Sequence, residues 1–366
     1  MGEYDEALLQ HDRALELKPN YCEALTNKGL ALHELMRFNE AIDHYDAALK
    51  INPNHHEASW NKSLTLLLQG DFKNGLPLYE SRWKSSLASA IAGRRIFDKP
   101  SWFGMESLED KTILLYGEQG LGDFIQFSRY VKLVANLGAN VTLEVPNVLA
   151  SIMSNLEGVS NIFIQGEVLP PFDYQCPLMS LPYIFKTEID NIPSGEAYIK
   201  LSDMPKNVHW ENKLGSKDKP RIGLVWSGNP RHKNDRNRTI LLKEILPYLS
   251  SEYQYVSLQK DIRDTDKVTL EGNPHIFNFA NDIVDFSDTA ALINCMDLVI
   301  SVDTSVAHLS GAMGKKTWVL LPTTPDWRWL LDREDSPWYH SIRLFRQQSK
   351  VNWNPVFDKI RGLLEL

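Results

Sequence analysis

The chain has 366 residues, a length that predicts two or three domains rather than one simple core. Its formal net charge is -8, which excludes a general nucleic-acid-binding protein, because neutralising phosphates needs clustered Lys and Arg. Charged residues make up 23% of the chain and its apolar content is ordinary, so the composition predicts a globular rather than a disordered protein.

The cysteines and the apolar runs bear on the compartment. Cys22, Cys176 and Cys295 lie far apart, so they predict neither a disulfide framework nor a zinc site. No apolar run approaches the roughly 18 residues of a membrane span, and Met1 to Asp5 do not resemble a signal peptide. We therefore predict a cytoplasmic protein with no integral membrane segment.

Residues 1–90 repeat with a period of 34. Tyr4, Phe38 and Phe72 fall at equivalent positions, as do Pro19 and Pro53. This combination of period, aromatic residues and prolines resembles the tetratricopeptide repeat, with about two and a half units. Such repeats bind a protein or peptide partner, or serve as a docking or oligomerisation spacer, and both interpretations stay open.

An alternation of strands and helices follows the repeats. The first series has β-rich runs at Thr112–Tyr116, Val141–Val145 and Ile162–Ile164, with a helical stretch at Phe124–Leu137. Lys206 to Pro220 is polar and is predicted to be a linker. A second series follows, with its strands at Ile222–Trp226, Tyr255–Leu258, Leu298–Ser301 and Trp318–Leu321.

This order predicts an α/β fold class, with parallel sheets in two Rossmann-like domains after an all-α module. We assign 1–90 to the repeats, 94–205 to the first Rossmann-like domain, 219–350 to the second and 351–366 to a C-terminal helix. Ligands of open parallel sheets bind outside the carboxyl ends of the strands, so the candidate site residues are sought there.

The first strand runs into a turn that contains Gly120, Gly122 and Asp123. The glycines allow the backbone to turn sharply and a ligand to come close. Asp123 is either an ordinary helix cap or a general base that deprotonates an acceptor hydroxyl, and both readings stay open. A dinucleotide fingerprint is a weaker alternative, because the glycines fall as GxxGxG although Glu144 follows at a suitable distance.

A second strand-to-helix turn, Asp303 to His308, is the main phosphate-site candidate. Thr304 and Ser305 offer hydroxyls and backbone N–H groups at a helix N-terminus, which suits a diphosphate. His308 lies one turn into that helix. A buried or surface histidine without a ligand is the alternative.

Other residues at strand ends complete the predicted nucleotide-binding set. A basic loop, Arg231 to Arg238, lies beside the first strand end and could neutralise a diphosphate, or could simply be solvated. An aromatic loop at Trp327 and Trp329 either shapes a ligand site or packs. The remaining members of the set are Ser227, Gly228, Asn229, Arg238, Gln259, Asp288 and Thr289. Asp288 and Thr289 resemble the cap of another helix and have a weaker claim on the nucleotide.

The Gly-Asp turn together with Asp303–His308 resembles the heptosyltransferases of glycosyltransferase family 9, over roughly residues 94–350. The resemblance implies a GT-B fold and an inverting, metal-independent hexosyl- or heptosyltransferase with a nucleotide-diphosphate sugar as donor and no cofactor. It also implies that Asp123 is the base, that Thr304, Ser305 and His308 hold the diphosphate, and that Arg238 replaces a phosphate-binding Lys.

Two features separate the chain from that pattern. The family usually has Gly where this chain has Ser305, which leaves the donor open. Repeats joined to such a domain are also similar in layout to the O-GlcNAc transferases, which implies a protein acceptor. The competing hypotheses are a non-catalytic repeat scaffold with a degenerate nucleotide-binding domain and a dinucleotide-dependent oxidoreductase.

Overall fold

The computed structural model describes residues 2–86, 95–195, 197–201, 204–232, 234–350 and 352–365. They form two compact units. The helical unit comprises residues 1–98 with two later segments, 180–192 and 324–333. The α/β unit comprises residues 99–179, 193–323 and 334–366.

The secondary structure alternates after five leading helices. The helices are α1 (Gly2–Leu17), α2 (Cys22–Glu34), α3 (Phe38–Ile51), α4 (His56–Leu68), α5 (Phe72–Tyr79), α6 (Leu121–Phe127), α7 (Val131–Ala135), α8 (Ala150–Met153), α9 (Leu181–Ile184), α10 (Met204–Leu214), α11 (Asp235–Arg238), α12 (Leu242–Ile245), α13 (Asp264–Glu271), α14 (Phe286–Asn294), α15 (Ser305–Ala312) and α16 (Asn354–Leu364). The strands are β1 (Thr112–Tyr116), β2 (Asn140–Val145), β3 (Val159–Ile164), β4 (Tyr174–Pro177), β5 (Arg221–Val225), β6 (Gln254–Ser257), β7 (Ile276–Asn278), β8 (Leu298–Val302), β9 (Thr317–Leu321) and β10 (Ile342–Arg346).

Small residues set the spacing of the repeat helices. A β-carbon on Gly29 of α2 would lie 2.5 Å from Cε1 of Tyr45 on α3, and Tyr45 is fully buried. Ser63, one period after Gly29, is also buried. The small and aromatic positions of the repeat therefore pack against each other, because only a small residue leaves room for the neighbouring ring.

The aromatic loop predicted at Trp327 packs within the helical unit. The Trp327 ring lies edge-on to Phe72, 5.8 Å between centroids, and both side chains are buried. Arg82 is buried in the same unit, where it donates to Ser180 Oγ at 2.7 Å and pairs with Glu80 at 2.6 Å. Of the two alternatives for this loop, packing is therefore what the structure shows.

Both sheets of the α/β unit are parallel. Their strand orders are β3-β2-β1-β4 and β10-β9-β8-β5-β6-β7. In each sheet the chain enters at an inner strand, β1 or β5. The next two strands are added on one side of that strand, and the later strands are added on its other side. The order therefore reverses between β1 and β4 and between β5 and β8, and ligands of open α/β sheets bind at such points.

Three local predictions differ from the structure. The predicted linker at 206–220 is largely helix α10, because Trp210 is fully buried and gives that helix a packing face. The helical stretch from Phe124 starts earlier, at Leu121, and is interrupted by a 3-10 turn at Ser128–Tyr130. Strands β4, β7 and β10 were not predicted. Polar residues interrupt the apolar runs of β4 and β10, and β7 has only three residues.

Candidate active site

One side chain, that of Asp123, caps the start of α6 in the turn after β1. Gly120 is the N-cap residue, and its N–H donates to Oδ2 of Asp123 at 2.8 Å. Asp123 is therefore the third residue of α6 rather than the residue before the helix. Its half-buried carboxylate stabilises the helix start, which confirms the capping reading and leaves the general-base reading compatible with it.

Gly122 brings the two predicted turns together. A β-carbon on Gly122 would lie 2.8 Å from Cδ2 of His308 and 3.4 Å from Cα of Ser305. The start of α6 therefore lies directly on the first turn of α15. Because the base candidate follows Gly122 in the chain, Asp123 and the predicted diphosphate motif share one region of the α/β unit.

Helix α15 begins immediately after β8, with Thr304 as its N-cap residue. The Thr304 hydroxyl lies 3.2 Å from Oγ of Ser301, and no side-chain cap bond forms. Ser305 is the first helical residue and is half-buried. The first backbone N–H groups of a helix have no intrahelical partner and carry a partial positive charge, so this end suits an anion.

Arg238 connects the turn after β8 to the loop after β5. Its Nη1 donates to the backbone carbonyl of Asp303 at 2.8 Å. The guanidinium lies against Gly228, where a β-carbon would be 2.7 Å from Nη2. Gly228 is therefore a close-approach glycine, and Arg238 brings a cation to the switch point between β5 and β8.

The other residues predicted at the carboxyl ends of the strands in the second sheet are either buried or exposed. Gln259 holds the end of β5, because its Oε1 accepts from the N–H groups of Trp226 and Ser227 and its Nε2 donates to Ser227 Oγ. Asn229 is exposed, and its Oδ1 accepts from Arg231 N–H. Gln259 thus positions the loop that carries the nucleotide-binding candidates.

The basic loop is largely exposed. Arg231, His232 and Arg236 are exposed, whereas Arg238 reaches the turn after β8. Lys233 lies outside the described residues. Arg263 faces the same loop from α13, donating to Asp235 at 2.5 Å and to the carbonyl of Gly228 at 3.0 Å.

Asp288 and Thr289 stabilise the start of α14. Asp285 is the N-cap residue and Asp288 completes the capping box. The Asp288 carboxylate accepts from Val284 N–H at 3.0 Å and lies 3.1 Å from Nζ of Lys206. Burial alone would raise the pKa of Asp288, but these hydrogen bonds outweigh it and hold the pKa below its usual range. A nucleotide contact by these two residues stays a prediction.

His308 is buried in a hydrogen-bonded group that the sequence did not reveal. Its Nδ1 lies 3.0 Å from the hydroxyl of Tyr339, and its Nε2 lies 3.8 Å from Oδ1 of Asp303. Burial raises the pKa of Tyr339 well above its ordinary value, so the hydroxyl is protonated at neutral pH.

Behind Tyr339 lies Arg129, only 5% exposed. Its guanidinium donates to the carbonyl of Trp338 at 2.5 Å and to the hydroxyl of Tyr198 at 3.2 Å. Arg129 and Tyr339 are 210 positions apart in the sequence, and neither lies in a recognised motif. The sequence alone therefore did not indicate that they are neighbours.

Two segments of this chain match known protein families. A helical repeat region precedes two parallel α/β sheets whose switch points meet at α6 and α15, which confirms the predicted fold class. Residues 22–55 match the tetratricopeptide repeat family. Residues 281–355, which include the second turn, match glycosyltransferase family 9 (heptosyltransferase). Both matches agree with the families that the sequence was predicted to resemble.

Similar proteins include Protein FlbA of Caulobacter vibrioides, 24% identical over 400 aligned positions that cover 100% of this chain and 65% of that protein. The chain thus spans less than two thirds of this relative. Among solved structures, ADP-heptose LPS heptosyltransferase II of E. coli is 13% identical, with a TM-score of 0.45 over 69% of this chain and 98% of the other. A glycosyltransferase family 9 protein of Veillonella parvula is 12% identical, with a TM-score of 0.46 over 70% and 92%.

The described residues also bear on metal binding and on membrane insertion. They include no group of three or more His, Cys, Asp or Glu side chains arranged to hold a metal ion. None of the helices formed by them is both long and apolar enough to cross a bilayer. Metal independence stays a prediction.

Proposed function

We propose that this chain transfers a sugar from a nucleoside-diphosphate sugar to a hydroxyl acceptor, with inversion and without a metal ion. The observation that carries the proposal is the contact of Gly122 with His308 and Ser305. It joins a carboxylate-bearing helix start to a helix N-terminus in the segment that matches glycosyltransferase family 9. One region therefore combines a base candidate and an anion-binding end.

In the proposed reaction, Asp123 takes the proton of the acceptor hydroxyl as its oxygen attacks the anomeric carbon. The bond from that carbon to the donor phosphate breaks, and the electron pair leaves with the diphosphate. Arg238 and the N–H groups at the start of α15 stabilise the departing charge, because pre-positioned donors lower the energy of a transition state that develops charge there.

The repeats favour a protein or peptide as the acceptor. Helices α1 to α5 form packed repeat pairs, and such arrays bind extended partners along their surface. The donor sugar and its base are left open, because Ser305 stands where a glycine would let the phosphate approach more closely. The three cysteines are free thiols, two of them buried, which is consistent with a cytoplasmic location.

A non-catalytic, nucleotide-binding scaffold is the second candidate. The observation that favours it is the structural role of Asp123, whose Oδ2 caps α6 whether or not it acts in chemistry. This candidate shares the nucleotide site with the first and differs from it in turnover alone.

The test measures binding and turnover on the full chain. Calorimetry with ADP, UDP, GDP, CMP and NAD identifies the nucleotide, and the matching nucleotide sugar is then assayed for release of the nucleoside diphosphate with and without candidate acceptor peptides. We expect one nucleoside diphosphate to bind, and Arg238→Ala to weaken it about 10- to 100-fold, as for loss of a charge-assisted contact.

The matched control is Arg343→Ala, which removes a half-buried arginine that pairs with Glu334 away from the proposed site. It should leave the affinity unchanged. Binding without turnover would favour the scaffold, NAD binding alone would favour the oxidoreductase, and binding that Arg238→Ala does not weaken would contradict the proposed site.

A further inference from the structure

We propose that Tyr339 is a positioning residue, which donates its hydroxyl hydrogen to Nδ1 of His308 and so holds the imidazole as the Nε2–H tautomer, aimed at the Asp303 turn. The 3.0 Å contact between the Tyr339 hydroxyl and Nδ1 is the first observation. The role of this tautomer in binding a diphosphate rests on the proposed function. The tautomer itself does not.

The direction of the hydrogen bond follows from the groups around Tyr339. The guanidinium carbon of Arg129 lies 4.5 Å from the centroid of the Tyr339 ring, and Arg129 is always protonated. Arg129 is also a hydrogen-bonding partner of the Tyr339 hydroxyl, so the cation faces the lone pairs of the phenol oxygen and repels its hydrogen. The hydroxyl of Tyr198 also neighbours that of Tyr339, but it already accepts from Arg129 at 3.2 Å and donates to the carbonyl of Ile125 at 2.9 Å. The Tyr339 hydrogen is therefore directed away from Arg129 and towards the acceptor, Nδ1 of His308.

Arg129 is suited to this task because it is a buried cation held by neutral groups. Its Nε donates to the carbonyl of Gln126 at 2.8 Å, and its other bonds go to a carbonyl and a hydroxyl. The side chains that act most strongly on the Arg129 charge are Tyr198, Tyr339 and Tyr130, none of which is a carboxylate. Its charge therefore acts on the aromatic hydroxyls around it instead of being neutralised by an acid.

The other side of the imidazole fits the same assignment. Nε2 of His308 lies 3.8 Å from Oδ1 of Asp303, and a hydrogen on Nε2 is attracted to that carboxylate. Gly122 packs on the Cδ2 edge of the ring, which keeps the ring from turning over. The imidazole is thus held on three sides, and its N–H faces the turn that also carries Thr304 and Ser305.

The experiment reads the tautomer directly. The full chain is labelled with ¹⁵N-histidine, and ¹H–¹⁵N correlation spectra of the ring nitrogens are recorded, with the His308 signals assigned from His308→Gln. We expect the Nε2–H tautomer in the wild type and a mixture of both tautomers in Tyr339→Phe. The phenylalanine ring keeps the packing against Gly311, whose β-carbon would lie 2.7 Å from Cδ1 of Tyr339.

Tyr253→Phe is the matched control, because it removes a hydroxyl that donates to the carbonyl of Leu364 at 2.6 Å, in a hydrogen bond unrelated to His308. It should leave the His308 spectrum unchanged. An unchanged tautomer in Tyr339→Phe, or an Nδ1–H tautomer in the wild type, overturns the proposal.

A second readout connects the tautomer to ligand binding. If a nucleoside diphosphate binds, Tyr339→Phe should weaken it about 5- to 10-fold, the usual effect of one misdirected hydrogen bond. Loss of the tautomer preference together with unchanged affinity would overturn its role in binding. If no nucleotide binds to the wild type, the proposed function fails while the spectra still decide the tautomer.

Discussion

Asp123 and Asp288 are the same local device in two different surroundings. Each is the third residue of a helix in the α/β unit, and each accepts from the backbone N–H of its N-cap residue, Gly120 or Asp285. Asp288 also pairs with Lys206 at 3.1 Å and accepts from the Trp210 ring at 3.3 Å. Asp123 instead follows Gly122, the residue that contacts α15.

The two acids have the same capping role but different neighbours. A capping acid is therefore a catalytic candidate only where its helix start packs against a ligand-binding region. The start of α14 is covered by α10, whose Lys206 and Trp210 hold Asp288 in a structural role. The start of α6 lies on the anion-binding end of α15. Substitutions at the two acids should therefore separate activity from stability.

The largest effect is expected for Asp123→Asn. The amide oxygen still accepts from Gly120 N–H, so the cap is retained while the base is lost. We expect sugar transfer to fall about 10²- to 10⁴-fold, with thermal stability and nucleotide affinity nearly unchanged. Turnover, calorimetry and thermal unfolding on one preparation check this, and undiminished transfer would remove Asp123 from the mechanism.

Gly122→Ala tests the contact between the two turns. The added methyl group would lie 2.8 Å from the His308 ring, so α6 and α15 must move apart. We expect a loss of about 1–3 kcal/mol in the free energy of unfolding and weaker nucleotide binding. Denaturant unfolding and calorimetry measure the two effects.

Gly362→Ala is the control for that substitution. It lies inside α16, and a β-carbon there meets no atom within 4 Å. We expect it to stabilise the protein by up to about 1 kcal/mol, because alanine is the better helix former. If both variants had the same effect, the close contact at Gly122 would be irrelevant to stability.

Asp288→Ala should affect stability without affecting transfer. It removes the capping box of α14 and leaves Lys206 without one of its two carboxylate partners, so we expect a loss of about 1–3 kcal/mol. Asp264→Ala, at the exposed start of α13, should cost less because its side chain is 95% exposed. Reduced turnover per folded molecule in Asp288→Ala would show that the second acid also contacts substrate.

The smallest effect is a pH dependence of the Asp288 contribution. The pKa of Asp288 is lowered in the folded protein, since its hydrogen bonds outweigh its burial. Its stabilisation is therefore complete above the unfolded pKa and is lost as the pH falls through the lower, folded pKa. The difference in unfolding free energy between the wild type and Asp288→Asn should narrow below about pH 4.

Gly362→Ala again provides the control, because it changes no titratable group, and its effect should be the same at each pH. A difference between the wild type and Asp288→Asn that stays constant down to pH 3 would contradict the depressed pKa.

Prediction from the sequence worked best where the signal is local and strong. Strand β1 was predicted with its observed bounds, and the runs that became β2, β5, β6, β8 and β9 were found within one residue at each end. The polar segment with α10 was misjudged as a linker, because only two apolar side chains among its described residues are buried, Trp210 and Leu214, and two residues give a weak periodic signal.

The sequence by itself determined the repeat helices, the strand–turn–helix units and the two capping acids. Each of these is specified by a pattern only a few residues long, such as hydrophobic periodicity or a capping side chain, so the sequence predicts it directly. Only the tertiary structure decided that Gly122 meets His308, that Arg238 lies on Gly228 and that Tyr339 contacts Nδ1. Gly122, His308 and Tyr339 come from three different connections between strands, so their contacts form only after the strand order has brought those connections together.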